Sequence, residues 1–427
     1  MHKVTLLSAA WFSDRTVEIA FPSTWDVTVV GRKEVPALST GEMMERLRHP
    51  FGTPPLSELA RGRRRAAILI DDMTRPTPTA DILPLILDEL ETAGMGRDAA
   101  TVFIASGAHH VATRDEIARK VGGALEGGIA VVPHDSDADT VRLGKTDGGT
   151  PVFVNRAVME CDLKVGVGGI YPHRCAGYSG GAKIVAPGIC GTETIRYLHD
   201  YFPGGGSEGG NLGNRMRLEM ETVARKVGLD FIVDAVLNQE RRIAGLFAGD
   251  MTLAFREGAA VADDLYGVGP LRDADVIVSN AYPFDTALQY FNRGFWPFAG
   301  ARRGVTKVVV GAAPMGRGYH RLGPFGRPLR ERVWRRIREF RPADGRHWRA
   351  GMRILRNITS RWRHDFLVWS PGLTREELLA TYRNAVYSDT WDGILETLLR
   401  RHPEDAVKVA VYPCAPLQTP VAERDVR

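Results

Sequence analysis

Short β-branched, apolar runs alternate with helical patterns along much of this chain, and that alternation leaves few folds open. Residues 63–72, 100–109, 128–135 and 161–170 read as strands. Between the first two, residues 79–94 carry apolar side chains at helical spacing and close on Gly94, a natural C-cap. Strand, helix, strand predicts βαβ units and a parallel sheet. A second cycle opens at residues 274–283, continues at 306–314 and ends at 407–416. The expected fold class is α/β: two α/β domains with mostly parallel sheets. The chain has 427 residues, too many for one core at about 150 residues per domain. The helical stretch 254–267 sets a boundary, giving an N-terminal domain over 1–268 and a C-terminal domain over 269–412. Residues 413–427 are expected as a tail returning to the first domain. The Gly-rich stretch 203–214 reads as a loop rather than a linker, because ordered patterns flank it.

Composition narrows the class. Apolar residues make up 44% and charged residues 25%, the balance of a globular protein. No apolar run approaches the roughly 18–20 residues that span a bilayer. The first residues lack a basic n-region and a cleavage site, so no signal peptide is expected. Cys161, Cys175, Cys190 and Cys414 are widely spaced with no CxxC pair, which argues against zinc and disulfides and suits a reducing cytoplasm. The net charge of +5 is modest, and much of the arginine excess lies between Arg317 and Arg363. Acidic residues and Trp interrupt that run. A solvated helical face is therefore expected rather than a nucleic-acid surface.

Several strands end in turns rich in reactive residue types. Asp71-Asp72-Met73-Thr74-Arg75-Pro76 closes the first. Its acidic pair could bind a metal or ribose, and Arg75 could clamp a carboxylate or phosphate; an N-cap for the next helix is the bland alternative. His109 closes the second strand after Ser106-Gly107, with His110 beside it as a bystander or supporting group. His173 follows Pro172, ten residues before Lys183, and His199 lies sixteen residues after it. The run Gly177-Tyr-Ser-Gly-Gly-Ala-Lys183 is not a Walker A motif, since Ala182 precedes the lysine and Ile184 follows it. Glycines there would let the backbone approach an anion. By itself the run is evenly balanced between such a cradle and a plain turn. Imidazoles suit nickel, copper or zinc and move protons near neutral pH, so three histidines tip the balance. Tyr282-Pro283-Phe284-Asp285 closes the first strand of the second cycle, with Gln289, Tyr290 and Arg293 following at helical spacing. In open α/β sheets such turns meet at the carboxyl edge, where ligands bind.

Residues 171–188 followed by His199 resemble the signature of the nickel-dependent lactate racemase family. Asp71–Pro76 and the Ser106–His109 turn resemble it too, as do the stretches 214–225, 231–238 and 246–250. The resemblance runs from about residue 20 to about 315, with an echo at 411–420. It implies two α/β domains with the active site in the cleft between them, the second domain closing over the first. It implies a nickel-pincer nucleotide covalently attached at Lys183, with His199 as a nickel ligand and Asp72, Met73, Thr74 and Arg75 contacting the cofactor. His109 and His173 would be the catalytic pair. The reaction implied is racemisation or epimerisation of a small-molecule 2-hydroxy acid by proton-coupled hydride transfer. Cofactor-making enzymes would be partners, and neither nucleic acid nor a membrane would be.

The sequence departs from that pattern around the substrate. Positions that carry Gln and Lys in lactate racemase correspond to Tyr290 and Arg293, with Gln289 one residue early. Together with Arg75 these are the expected substrate contacts. Arg for Lys trades a point charge for a planar fork, which points to a bulkier or more anionic acid than lactate. A related oxidoreductase that stops at the keto acid is the alternative; keeping both His109 and His173 argues against it.

Overall fold

The computed structural model describes residues 1–124, 127–202, 210–321 and 365–421. Within the Gly-rich stretch, residues 203–209 lie outside the described residues, as do 322–364, most of the Arg-rich run. In chain order the principal elements are β1 (Asp26–Val29), β2 (Ala66–Asp71), α1 (Thr79–Thr92), β3 (Ala100–Ala105), α2 (Arg114–Val121), β4 (Ala130–Pro133), β5 (Leu163–Gly169), α3 (Thr192–Tyr201), α4 (Arg215–Val227), β6 (Phe231–Leu237), β7 (Ile243–Gly249), α5 (Leu253–Tyr266), β8 (Val276–Asn280), β9 (Thr306–Val310), β10 (Leu367–Trp369), β11 (Val386–Ser388) and β12 (Lys408–Tyr412). The fold is α/β with mostly parallel sheets, in line with the alternation in the sequence.

The chain divides into two compact units, Lys33–Tyr266 and Met1–Arg32 joined with Gly267–Arg427. Residues 1–32 thus leave the domain in which the sequence placed them. The reason is β1, which adds to the edge of the second unit's sheet with Asp26 opposite Lys408. Four residues of strand give no period long enough to read, and their partner is nearly a whole chain away. The C-terminal tail does return to residues within 1–268, but to ones that the fold groups with the second unit. Thr419 pairs with Gly267, and Gln418 Nε2 donates to the Val30 carbonyl at 2.6 Å, both inside the second unit.

In the unit Lys33–Tyr266 the sheet order is β7-β6-β5-β2-β3-β4. All neighbours are parallel except β6 with β7. Every residue of β5 and β6 is buried, as expected of central strands covered on both faces. Ile68 in β2 is fully buried, and truncating such a side chain to Ala costs about 2–5 kcal/mol. Helix α1 buries Ile82, Leu83, Leu85, Ile86, Leu87 and Leu90. It stops where Gly94 takes φ +86°, a conformation that favours glycine. From β2 the chain steps outward through β3 to β4, then jumps back so that β5 and β6 build on the opposite side. The order therefore reverses between β2 and β5, and a reversal of this kind opens a crevice at the carboxyl ends of the two strands.

The second unit carries an all-parallel sheet, β11-β10-β9-β8-β12-β1, reversing between β8 and β12. Here the chain's own 9–14 turn takes up the polar groups at the edge. Buried Asp285 accepts from the backbone amides of Ala9 at 2.8 Å and Ala10 at 3.1 Å. Asn280 Nδ2 donates to the carbonyls of Leu7 and Pro413, each at 2.8 Å.

Candidate active site

The site in Lys33–Tyr266 is built on the reversal between β2 and β5. After β2 the chain turns through residues 72–76. Asp72 Oδ1 accepts from the Thr74 amide at 3.0 Å and from its hydroxyl, so the residue is more than a helix cap; the next helix is preceded by Pro78. Arg75 Nη1 donates to Thr74 Oγ1 at 2.7 Å. Beneath the turn lies a buried ion pair, Lys120 with Asp71 at 2.6 Å. Lys120 also donates to the carbonyls of Thr77 at 2.9 Å and Arg75 at 3.2 Å. Tyr171, just after β5, donates its hydroxyl to Thr77 Oγ1 at 3.0 Å. That bond ties the two turns flanking the crevice. Met73 is buried among them.

His109 enters from the end of β3. Its Nδ1 lies 2.6 Å from Asp72 Oδ2. Burial, the larger influence, lowers the pKa of His109 and outweighs the pull of Asp72. Burial works against the Asp72 charge, yet His109 and Arg75 beside it hold its carboxyl well below the usual carboxylate range. The pair therefore sets an ionised carboxylate against an imidazole whose burial disfavours its cation. His110 turns elsewhere: its Nε2 lies 2.7 Å from Glu116, the residue that completes the capping box of α2.

Lys183 lies in a short 3-10 turn, Gly181–Ile184. Its ammonium is close enough to depress the pKa of both His109 and His199. For His199, burial is again the first cause. On α3, His199 Nδ1 lies 2.7 Å from the Ile195 carbonyl one turn back, so it donates there and Nε2 keeps its lone pair. The turn after β3 docks on the segment following Lys183, with the Gly107 amide donating to the Gly188 carbonyl at 2.8 Å.

The Gly-rich run is held by two charged residues that periodicity did not single out. Arg217 on α4 is fully buried. It donates to the carbonyls of Ala176 at 3.3 Å and Gly180 at 2.9 Å, and to that of Tyr178. Asp234, the lone charge in β6, accepts from the Gly181 amide at 2.6 Å. Gly180 has φ +86°, and a Cβ there would sit 2.8 Å from an Asp234 oxygen, so the carboxylate takes the space that only glycine leaves. Burial pushes Asp234 up to about 7 and Arg217 down to about 10. A charge inside an otherwise apolar strand was the available signal for Asp234. Arg217 looks like an ordinary polar helix residue until the fold buries it. His173 sits on the ribbon Pro172–His173, paired with Gly177–Tyr178.

The structure thus joins Asp72, Thr74, Arg75 and His109 by contact, with Lys183 in electrostatic reach of both His109 and His199 and His173 on the ribbon that precedes the lysine turn. Tyr290 and Arg293 belong to the other unit. Tyr290 is buried, and the Arg293 guanidinium lies 4.6 Å from the centre of the Phe284 ring. Among the described residues, no three His, Cys, Asp or Glu side chains converge as a metal site, and no helix is long and apolar enough to cross a membrane. The four cysteines are unpaired by disulfides.

An α/β chain with an Asp-supported histidine, a lysine in a glycine-rich turn and a buried imidazole at one sheet reversal has the parts of an enzyme. Residues 12–208 match the model of the lactate racemase N-terminal domain. The chain is 33% identical over 305 residues to a lactate racemase of Lactiplantibacillus plantarum, spanning 68% of this chain and 71% of that protein. It is 30% identical over 273 residues to a lactate racemase of Thermoanaerobacterium thermosaccharolyticum, spanning 62% of this chain and 64% of that one. In fold it resembles the lactate racemase apoprotein of T. thermosaccharolyticum, with TM-score 0.73 at 22% identity over 99% of this chain and 100% of that structure. A Thermotoga maritima protein gives TM-score 0.62 at 18% identity over 91% and 100%. The chain belongs to the lactate racemase family.

Proposed function

We propose that this chain inverts a 2-hydroxy acid, with lactate the first substrate to test, using a nickel-pincer nucleotide attached to Lys183. The observation that carries the reading is the grouping of Asp72-supported His109, Lys183 and His199 at one sheet reversal. The residues present suit the group. His199 fixes Nδ1 on a carbonyl and keeps an Nε2 lone pair, the arrangement expected of a metal-binding imidazole, and Ni(II) accepts imidazole. It is a single protein ligand, so the remaining ones would come from the bound group. Lys183 would carry that group, and Asp72, Met73, Thr74 and Arg75 would line it.

When bound, the group supplies an electron-poor ring able to hold a hydride, which spares the enzyme a poorly stabilised α-carbanion. The chain's own residues handle the proton and the carboxylate. His109 takes the hydroxyl proton at Nε2, and the imidazolium so formed rests against Asp72. His173 serves the oxygen from a second direction, which inversion requires. Arg75 is a proposed substrate contact, and Tyr290 and Arg293 are proposed for the same role from their positions in the family pattern. Arg for Lys at position 293 favours an acid larger or more anionic than lactate. Enzymes that build the cofactor are the proposed partners, and the cytoplasm the proposed compartment.

Mass spectrometry of the peptide holding Lys183 tests the reading. Protein coproduced with the cofactor-making enzymes should carry an added mass there. An unmodified Lys183 in nickel-supplied, coproduced protein would sink the proposal. Net release of keto acid during turnover would replace it with the oxidoreductase reading.

A further inference from the structure

The two candidate histidines each hold partners at the ring atom Nδ1, but in opposite senses. For His109 the partners are a carboxylate and a hydroxyl. Asp72 Oδ2 can only accept. Thr74 Oγ1 has one hydrogen, and it is committed to Asp72 Oδ1, so toward His109 Nδ1 at 3.3 Å it can only accept as well. His109 Nδ1 must therefore carry the hydrogen, leaving the lone pair on Nε2. At Nδ1 of His173 the partners are donors. The backbone amides of Cys175 at 3.3 Å and Ala176 at 3.2 Å both point at Nδ1. That atom must hold the lone pair, so the hydrogen sits on Nε2.

We infer that the resting enzyme holds its two histidines in opposite tautomers, His109 as proton acceptor and His173 as hydrogen-bond donor, with Asp72 as the positioning residue that sets the first. The catalytic meaning rests on the racemase reading above; the tautomers do not. A substrate hydroxyl that reaches His109 meets an acceptor at Nε2. Uptake of the proton there gives an imidazolium whose charge faces Asp72. His173 steadies the same oxygen through Nε2–H. It cannot gain a second ring proton without turning its Nδ1 away from the two amides.

Asp72 offers a sharp test because its oxygens are already assigned. Oδ1 receives two donors from Thr74. In Asp72→Asn the amide oxygen must stay with those donors, so the new NH2 faces His109 Nδ1 and demands a lone pair there. The substitution inverts the tautomer of His109 without removing a side chain. Loss of the correct tautomer in an Asp–His pair costs roughly 10²–10⁴-fold in turnover.

The experiment is 15N NMR of the histidine rings in the full-length chain without cofactor, with signals assigned by single His→Gln variants. We expect Nδ1–H with a bare Nε2 for His109 and the reverse for His173. In Asp72→Asn the His109 pattern should invert while that of His173 stays. Per nickel-loaded molecule, Asp72→Asn should then lose the stated turnover with little change in KM. Matching tautomers at the two histidines, or a His109 pattern unmoved by Asp72→Asn, would overturn the inference. Neither ring signal depends on activity, so a chain with opposed tautomers but no adduct on Lys183 would refute the racemase reading alone.

Discussion

The guanidinium of buried Arg217 donates from Nη1 to the carbonyl of Gly180 at 2.9 Å, three residues before Lys183. Two further carbonyls, those of Ala176 and Tyr178, are held by this one side chain. A planar fork can reach three acceptors at once; a point charge on a flexible stem cannot. Arg217→Met strips those partners and leaves Asp234 without its cation. We expect a loss of about 3–5 kcal/mol in unfolding free energy, read by urea denaturation, and Arg217→Lys should recover only part of it. The modified fraction of Lys183 should fall in both variants.

The other half of this clamp predicts a pH dependence. Burial pushes the Asp234 carboxyl up to about 7. A carboxyl raised above its unfolded value binds protons more readily in the folded state. Its contribution therefore favours folding at low pH and declines as pH rises from about 4 toward 7, by at most about 1.4 kcal/mol per pH unit. Asp234→Asn keeps an acceptor for the Gly181 amide but does not titrate. Urea midpoints measured across roughly pH 5 to 8 should show that decline in the parent protein and a flatter profile in the variant.

Metal binding and proton transfer should separate cleanly by mutation. His199→Ala removes the one imidazole proposed to reach nickel, and the nickel content per chain should drop by roughly 10-fold or more, as measured by elemental analysis. His109→Ala and His173→Ala should abolish inversion with nickel still bound. If His199→Ala retains full nickel, the metal is held elsewhere.

Much of this was legible in the sequence, for identifiable reasons. The strands that became β2, β3, β5, β8, β9 and β12 are apolar and β-branched, and α1 is plainly periodic, so local pattern and tertiary role agree. The reactive residues Asp72, Arg75, His109 and Lys183 stand in turns or beside glycines, where unusual residue types are visible; His199 lies within α3 and is noticed through its spacing from Lys183. What stayed hidden depended on long-range pairing. β1 finds its partner in β12, too distant for any local signal. Arg217 looks solvated until α4 packs on the Gly-rich run. Lys120 reads as a surface residue of α2, yet it is the buried mate of Asp71. The tautomers of His109 and His173 depend on which atoms surround each ring, and spacing carries no information about that.

The central claim is inversion at a 2-hydroxy carbon, and chiral chromatography of a single enantiomer of lactate tests it most directly. Nickel-loaded protein with modified Lys183 should carry either enantiomer toward the same equal mixture, with no net keto acid released, and His109→Ala should not. Single enantiomers of lactate and of larger or more anionic 2-hydroxy acids that all persist unchanged before fully loaded protein would contradict the account.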